Sequence, residues 1–321
     1  MTMLDTKAPP DIDGRNVAAV LAAPAITTRD LAKVYRTTTA LAGLTMTVPR
    51  GEVFGFLGPN GAGKTTSVKL LLGLTRATSG EGLVLGAPIG DRAARRRIGY
   101  LPELFRYQDW LSAREVLGLH CKLAGLPRPS WADQIGSVLS LVGLAERGDD
   151  RVGTFSKGMQ QRLGLGVALL GEPDLVFLDE PTSALDPVGR HDVREIIRGL
   201  RERGTTVFLN SHLLSEVEQV CDRVAVVNHG RAIAVGTLHA LLGDDRLRLH
   251  VRDLDEAGLR ALGRFGAIGV DGEWVTIGGA HHDDTPDVVA MVVAHGGRIY
   301  GVDSQHLSLE DKFLQLLDEK K

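Results

Sequence analysis

Apolar positions along this chain fall into three successive regimes. From residue 26 to 56 they form short runs of strand character, ending in "GEVFGFLG" (51–58). There Val53, Phe54, Phe56 and Leu57 make the continuous apolar run of a buried strand. A glycine-rich turn follows, and then a helical pattern through "TTSVKLLLGL". Residues 105–170 read as helical segments, interrupted by "LPRPSW" (126–131). Between 173 and 240 strands and helices alternate, as "DLVFLDE", "HDVREIIRGLRERG", "TTVFLNSH" and "LLSEVEQVCDRV". That alternation implies a parallel sheet with helices on its faces, so the expected class is α/β. "RVAVVNHGRAIAVG" (223–236) reads as a hairpin turning at Asn228 and Gly230.

After about residue 240 the pattern changes. "RLRLHV", "DLDEAGLRALGRF", "GAIGV", "EWVTIGG", "TPDVVAMVVAHGG" and "RIYGVD" predict strand, helix, two strands, helix and strand, the order of a small α+β, ferredoxin-like module. "SLEDKFLQLL" (308–317) opens a last helix with Ser308 and Asp311 placed as in a capping box. The expected organisation is a flexible N-terminal tail over 1–25, an α/β domain over 26–240 with a helical subdomain at about 105–170, and an accessory domain over 241–321.

With 321 residues, 43% of them hydrophobic, the chain can bury a real core. The net charge of −3 gives no general reason to bind nucleic acid, and the arginine run at 95–97 reads as a solvated face. Cys121 and Cys221 stand alone, which argues against a disulfide scaffold or a cysteine metal site and fits a reducing compartment. The apolar stretch "NVAAVLAAPAI" (16–26) lacks the positive flank of a signal peptide and is well short of a membrane helix, so a cytoplasmic chain is expected. "HHDD" (281–284) sits in a polar turn and reads as a solvated loop rather than a metal site.

"GPNGAGKTT" (58–66) matches G-x-x-x-x-G-K-[ST] in full, after a predicted strand and before a predicted helix. Gly58, Gly61 and Gly63 let the backbone curl so that N–H groups point at phosphate oxygens, with Asn60 and Ala62 between them. The helix beginning near Lys64 and Thr66 adds its positive dipole end, Lys64 a full charge, and the Thr65 hydroxyl a ligand for Mg²⁺. "LVFLDEP" (175–181) then describes a buried strand delivering two acids at its C-terminal edge. Asp179 would hold Mg²⁺ through water, and Glu180 would polarise a water aimed at the γ-phosphate. His212, after "TTVFLN", stands at the end of a third sheet strand, where its nitrogen would contact that phosphate.

Together with "FSKGMQQR", "SALD" (183–186) and "NSH", these motifs resemble the ATP-binding cassette (ABC) family of transporter ATPases, over about residues 26–240. The resemblance implies a P-loop NTPase sheet with an inserted helical subdomain. It also implies that Ser156, Gly158 and Gln160 form a signature motif binding the γ-phosphate of ATP held by a second subunit. That motif holds no acid, so it supplies donors and a helix dipole and leaves the chemistry to Glu180. With one P-loop and one signature per chain, complete sites need a second copy or a related partner. Asp186 matches the loop that crosses between subunits, and Tyr35 the aromatic that stacks on adenine, with a plain core tyrosine as its alternative.

Two motifs depart from the family pattern. Lys157 stands where glycine is usual, with Met159 in place of a second small residue, and Glu103 in "IGYLPE" (98–103) takes the place of a glutamine that meets Mg²⁺ or water. The resemblance implies an ATPase subunit using ATP and Mg²⁺ to drive export through a separate membrane permease, peripheral on the inner membrane face and docking through 105–170. The competing readings are an ABC ATPase acting on ribosomes or DNA, and a regulatory ATP-binding module. The transported substrate is not written in this chain.

Overall fold

A computed structural model of the chain describes residues 23–183, 185–242, 246–280, 282–305 and 308–318. The expected tail therefore lies almost wholly outside the described residues. Its last member, Ala25, belongs to the core instead: it is fully buried and its N–H donates to the Val48 carbonyl at 2.8 Å.

The chain divides into two compact units, residues 1–235 and 236–321. The first contains two sheets. An antiparallel sheet runs in the order β2 (Thr38–Val48), β1 (Ile26–Tyr35), β4 (Ser79–Val84), β5 (Ala87–Pro88). The second is six-stranded, in the order β10 (Arg231–Thr237), β9 (Arg223–Asn228), β3 (Val53–Leu57), β8 (Thr206–Asn210), β7 (Leu175–Asp179), β6 (Ile98–Leu101), and it is parallel from β9 to β6. Every residue of β3, β7 and β8 is buried, as sheet strands covered on both faces require. Phe208 of β8 sits at the centre of the packing, 5.1 Å ring to ring from both Phe56 and Phe177.

Helix α1 (Lys64–Leu71) follows β3, and the short α2 (Arg92–Arg95) precedes β6. The predicted helical stretch resolves into α3 (Ala113–Ala124), α4 (Trp131–Leu141) and α5 (Lys157–Leu169). The capping box of Ser112 and Glu115 starts α3, and the left-handed Gly125 ends it before the two prolines. α6 (Pro187–Glu202) and α7 (Leu214–Val220) complete the alternation.

The second unit opens with α8 (Leu238–Leu242), then β11 (Arg246–Arg252), α9 (Glu256–Leu262), β12 (Ala267–Asp271), β13 (Trp274–Gly278), α10 (Thr285–Ala294), β14 (Arg298–Gln305) and α11 (Leu309–Asp318). Its sheet is antiparallel in the order β12-β13-β11-β14, so the first and last strands of the βαββαβ series lie side by side in the middle and at the edge. Leu247, Leu249, Val251, Val275 and Ile277 face a core shared with Leu262, Val288 and Val292 of the helices. In the "HHDD" stretch His281 lies outside the described residues, and residues 282–284 form a short turn before α10.

Candidate active site

The turn between β3 and α1 is shaped by what presses on it. A Cβ on Gly63 would meet the Ala40 carbonyl oxygen at 2.3 Å, and Gly63 carries φ +97°, so only glycine fits there. Gly58 is equally constrained, with the Val227 carbonyl oxygen 2.3 Å from where its Cβ would be. Strands β2 and β9 thus wall the loop on two sides. Lys64 folds back into the loop, its Nζ donating to the carbonyls of Gly58 at 2.7 Å and Pro59 at 3.3 Å. Asn60, Gly61 and Thr65 are exposed, Thr66 is half-buried and Ala62 is buried. Burial pushes the Lys64 ammonium down, opposed by the charges of Glu180, Asp179 and Glu103. The two strand-end acids and the exposed Glu103 therefore share one electrostatic environment with the lysine.

Strands β7 and β8 lie in register, pairing Asp179 with Asn210. The Asn210 amide nitrogen donates to the Asp179 carboxylate, and the Glu180 N–H donates to the Asn210 carbonyl at 2.8 Å. Burial raises the Asp179 carboxyl; the bond from Asn210 pulls it back, Glu103 and Glu180 push it further up, and Lys64 lowers it. Glu180 carries φ +54°, a left-handed conformation rare outside glycine and concentrated at functional turns. One of its oxygens accepts the His212 backbone N–H at 2.9 Å, and the other lies 2.7 Å from His212 Nδ1. Tyr100, on the neighbouring β6, has its phenol pushed up to about 12 by burial, with the charges of Asp179 and Glu103 adding to the shift.

The start of α5 is a second, separate feature. Ser156 is its N-cap, its Oγ accepting the Met159 N–H at 3.2 Å. Gly158 lies against Leu185, whose Cδ2 would be 3.3 Å from an added Cβ. Asp186 caps α6, accepting the Gly189 N–H at 2.8 Å ahead of Pro187 at the first helical position. Ser156, Lys157, Gly158, Leu185, Asp186 and Gly189 line one shared hollow. Gln160 turns inward, donating to the Phe155 carbonyl at 3.4 Å. Among the described residues, no hydrogen bond joins Ser156, Gly158 or Gln160 to the phosphate loop.

Tyr35 ends β1 and is 43% exposed, with Lys33 Nζ 4.8 Å from its ring centroid, so the plain-core alternative falls away. Three site residues went unread in the sequence: Asn210, Tyr100 and Gln161. Buried Gln161 donates to the carbonyls of Pro181 at 3.1 Å and Glu180 at 3.4 Å, tying α5 to the backbone of the acidic turn. A polar residue closing the buried run "TVFLN" was the available signal for Asn210. Nothing in the helical pattern set Gln161 apart from Gln160.

Residues 41–183 match the family model described as "ABC transporter". An ABC transporter ATP-binding protein of Nostoc sp. is 42% identical over 307 residues, 92% of this chain and 90% of the relative. The linearmycin resistance ATP-binding protein of Bacillus subtilis is 35% identical, covering 89% of this chain and 96% of the relative. A solved structure of the ATP-binding subunit of an ABC transporter overlays with a TM-score of 0.62 at 31% identity, covering 67% of this chain and 91% of that one. A glycine-confined strand-to-helix loop, an acid pair at the end of β7 and a separately capped helix α5 meet here in one chain, which belongs to the ABC transporter ATP-binding family and is an ATPase subunit of that kind.

Proposed function

We propose that two copies of this chain close around two ATP–Mg²⁺ and that this movement drives export through a separate membrane permease. The observation that carries the reading is the division of the site. Lys64, Asp179, Glu180 and His212 converge at the ends of β3, β7 and β8, while Ser156 and Gly158 stand apart at the start of α5. On this reading a phosphate seated on Lys64 takes its signature donors from another molecule.

The donor set suits a hard cation, with the Asp179 carboxylate, the exposed Thr65 hydroxyl and the exposed Glu103 all offering oxygen. When bound, Mg²⁺ would supply neutralisation of the phosphate charge. Lys64 and the amides of Gly61 and Gly63 bind and orient the phosphates, and Tyr35 stacks on the base. The Glu180 carboxylate accepts a proton from the attacking water, and His212 holds that carboxylate in place and faces the γ-phosphate.

The permease surface is the segment after Glu103 together with α3, where Leu104 is 87%, Trp110 70% and Leu123 72% exposed. Phe105 joins that segment to α5, its ring seated on Gly164 so closely that a Cβ would meet it at 2.6 Å. Among the described residues no helix is long and apolar enough to cross a membrane, so the chain would sit on the cytoplasmic face through its permease. The resistance function in one relative's name supports export as the direction.

Light scattering on Glu180→Gln tests the composite site. The mass should double with ATP and Mg²⁺, and Ser156→Arg should abolish the doubling. A monomer with ATP bound, both free and on membranes carrying the permease, would sink the reading.

A further inference from the structure

We propose that Asn210 is a positioning residue for the nucleotide's metal ion, fixing the Asp179 carboxylate and offering its own Oδ1 to a metal-bound water. This rests on the reading that Asp179 serves that ion. Asn210 ends β8 directly beside Asp179 and is only 3% exposed. Its amide orientation is dictated by chemistry: an ionised carboxylate only accepts, so the nitrogen must face Asp179. That leaves Oδ1 turned away, buried and without a hydrogen-bond partner among the described residues. A buried acceptor without a partner is costly, so it calls for a ligand or water to meet it. An acceptor beside a metal-directed carboxylate is suited to the hydrogens of coordinated water, and Mg²⁺ characteristically keeps several waters. The Asn210 backbone contributes as well, because its carbonyl holds the N–H of Glu180. One residue thereby sets the side chain of the metal acid and the entry of the catalytic one.

The test measures Mn²⁺ binding by electron paramagnetic resonance of the free ion, on the full chain saturated with a non-hydrolysable ATP analogue. Asn210→Leu, which keeps the branched four-heavy-atom side chain without either polar atom, should weaken Mn²⁺ by about 10- to 100-fold, the range seen when a partner behind a metal ligand is removed. Metal-free binding of the analogue should stay within about threefold, which a disturbed fold would not permit. Asn210→Ser keeps the site small and polar but is too short to reach Asp179; it should show the same loss and gives the readout if the leucine variant does not fold. Asp179→Asn is the control. If it weakens Mn²⁺ while both Asn210 variants bind as the parent does, with only their melting temperatures lowered, Asn210 is purely structural and the inference is overturned. If Asp179→Asn itself leaves Mn²⁺ affinity unchanged, the underlying assignment of the metal carboxylate fails instead.

Discussion

His212 meets both oxygens of Glu180: its backbone N–H donates to one at 2.9 Å, and Nδ1 lies 2.7 Å from the other. The grip is possible because Glu180 turns into the left-handed region at φ +54°, a conformation costing of order 1–3 kcal/mol that surrounding bonds must offset. The Glu180 N–H bond to Asn210 and the Gln161 bond to the Glu180 carbonyl supply that offset on either side of the residue. The acid is thus preorganised by backbone and side chain together.

This arrangement separates two kinds of damage. Glu180→Gln removes the proton acceptor and should reduce phosphate release to below about 1% of the parent, within the 10²- to 10⁴-fold typical of a lost general base. His212→Ala deletes the Nδ1 contact but keeps the backbone bond, so turnover should fall at least tenfold. Nucleotide affinity, read by fluorescent ATP analogue titration, should stay within about threefold in both. A parallel collapse of binding in His212→Ala would mean the imidazole supports the fold rather than the reaction.

Much of this was legible in the chain. The apolar runs of β3, β7 and β8 are buried at every position, and the glycine-rich loop after β3 is confined at Gly58 and Gly63 by contacts only glycine tolerates. The βαββαβ order of the second unit followed from hydrophobic periodicity alone. What could not be read depends on pairing across the sheet. Asn210 meets Asp179 only because β7 and β8 lie in register, and Gln161 reaches Pro181 only once α5 is laid beside the acidic turn. Ala25 reads as part of a tail because a single alanine has no periodicity; its hydrogen bonds with Val48 and Leu85 continue β1 toward both of its neighbours.

Two glycines with no motif role should respond in opposite directions. Gly99 in β6 lies against α5, with the Ala168 carbonyl oxygen 1.9 Å from an added Cβ, and backbone cannot step aside as a flexible side chain can. Gly99→Ala should therefore destabilise by about 3 kcal/mol or prevent folding, at the upper end for overpacking. Gly136 in the interior of α4 has nothing within 4 Å of the corresponding position. Gly136→Ala should stabilise by about 0.5–1 kcal/mol through backbone entropy. Urea denaturation of both variants checks the pair.

Acid should weaken the first unit through His120. Its ring meets Tyr107 edge-on at 5.7 Å, and burial holds its pKa below the ordinary histidine value. In the unfolded chain the imidazole titrates near its usual value of about 6.5. Below that pH the unfolded state binds the proton more readily than the folded one, so stability rises with pH there. The contribution is fully present above the unfolded pKa and is lost as pH falls through it. His120→Phe, which keeps a ring against Tyr107, should flatten the fall in melting temperature between about pH 7.5 and 5.5. An unchanged slope would place the acid sensitivity elsewhere.

The exposed side chains after Glu103 make the proposed coupling surface testable apart from the chemistry. Trp110 and Leu104 project from the segment that leads away from Glu103, and neither belongs to the phosphate loop, the acid pair or the signature. Truncating a tryptophan at the centre of an interface commonly costs 2 kcal/mol or more, roughly a thirtyfold loss of affinity. Leu104→Ser combined with Trp110→Ala should leave ATP hydrolysis by the isolated chain within about twofold. The same double variant should lose co-sedimentation with membranes carrying the permease, and with it any stimulation of hydrolysis by those membranes. Retained co-sedimentation would move the docking site away from this segment. Lost hydrolysis in the isolated chain would instead show that Phe105, seated on Gly164, transmits the damage into the signature helix.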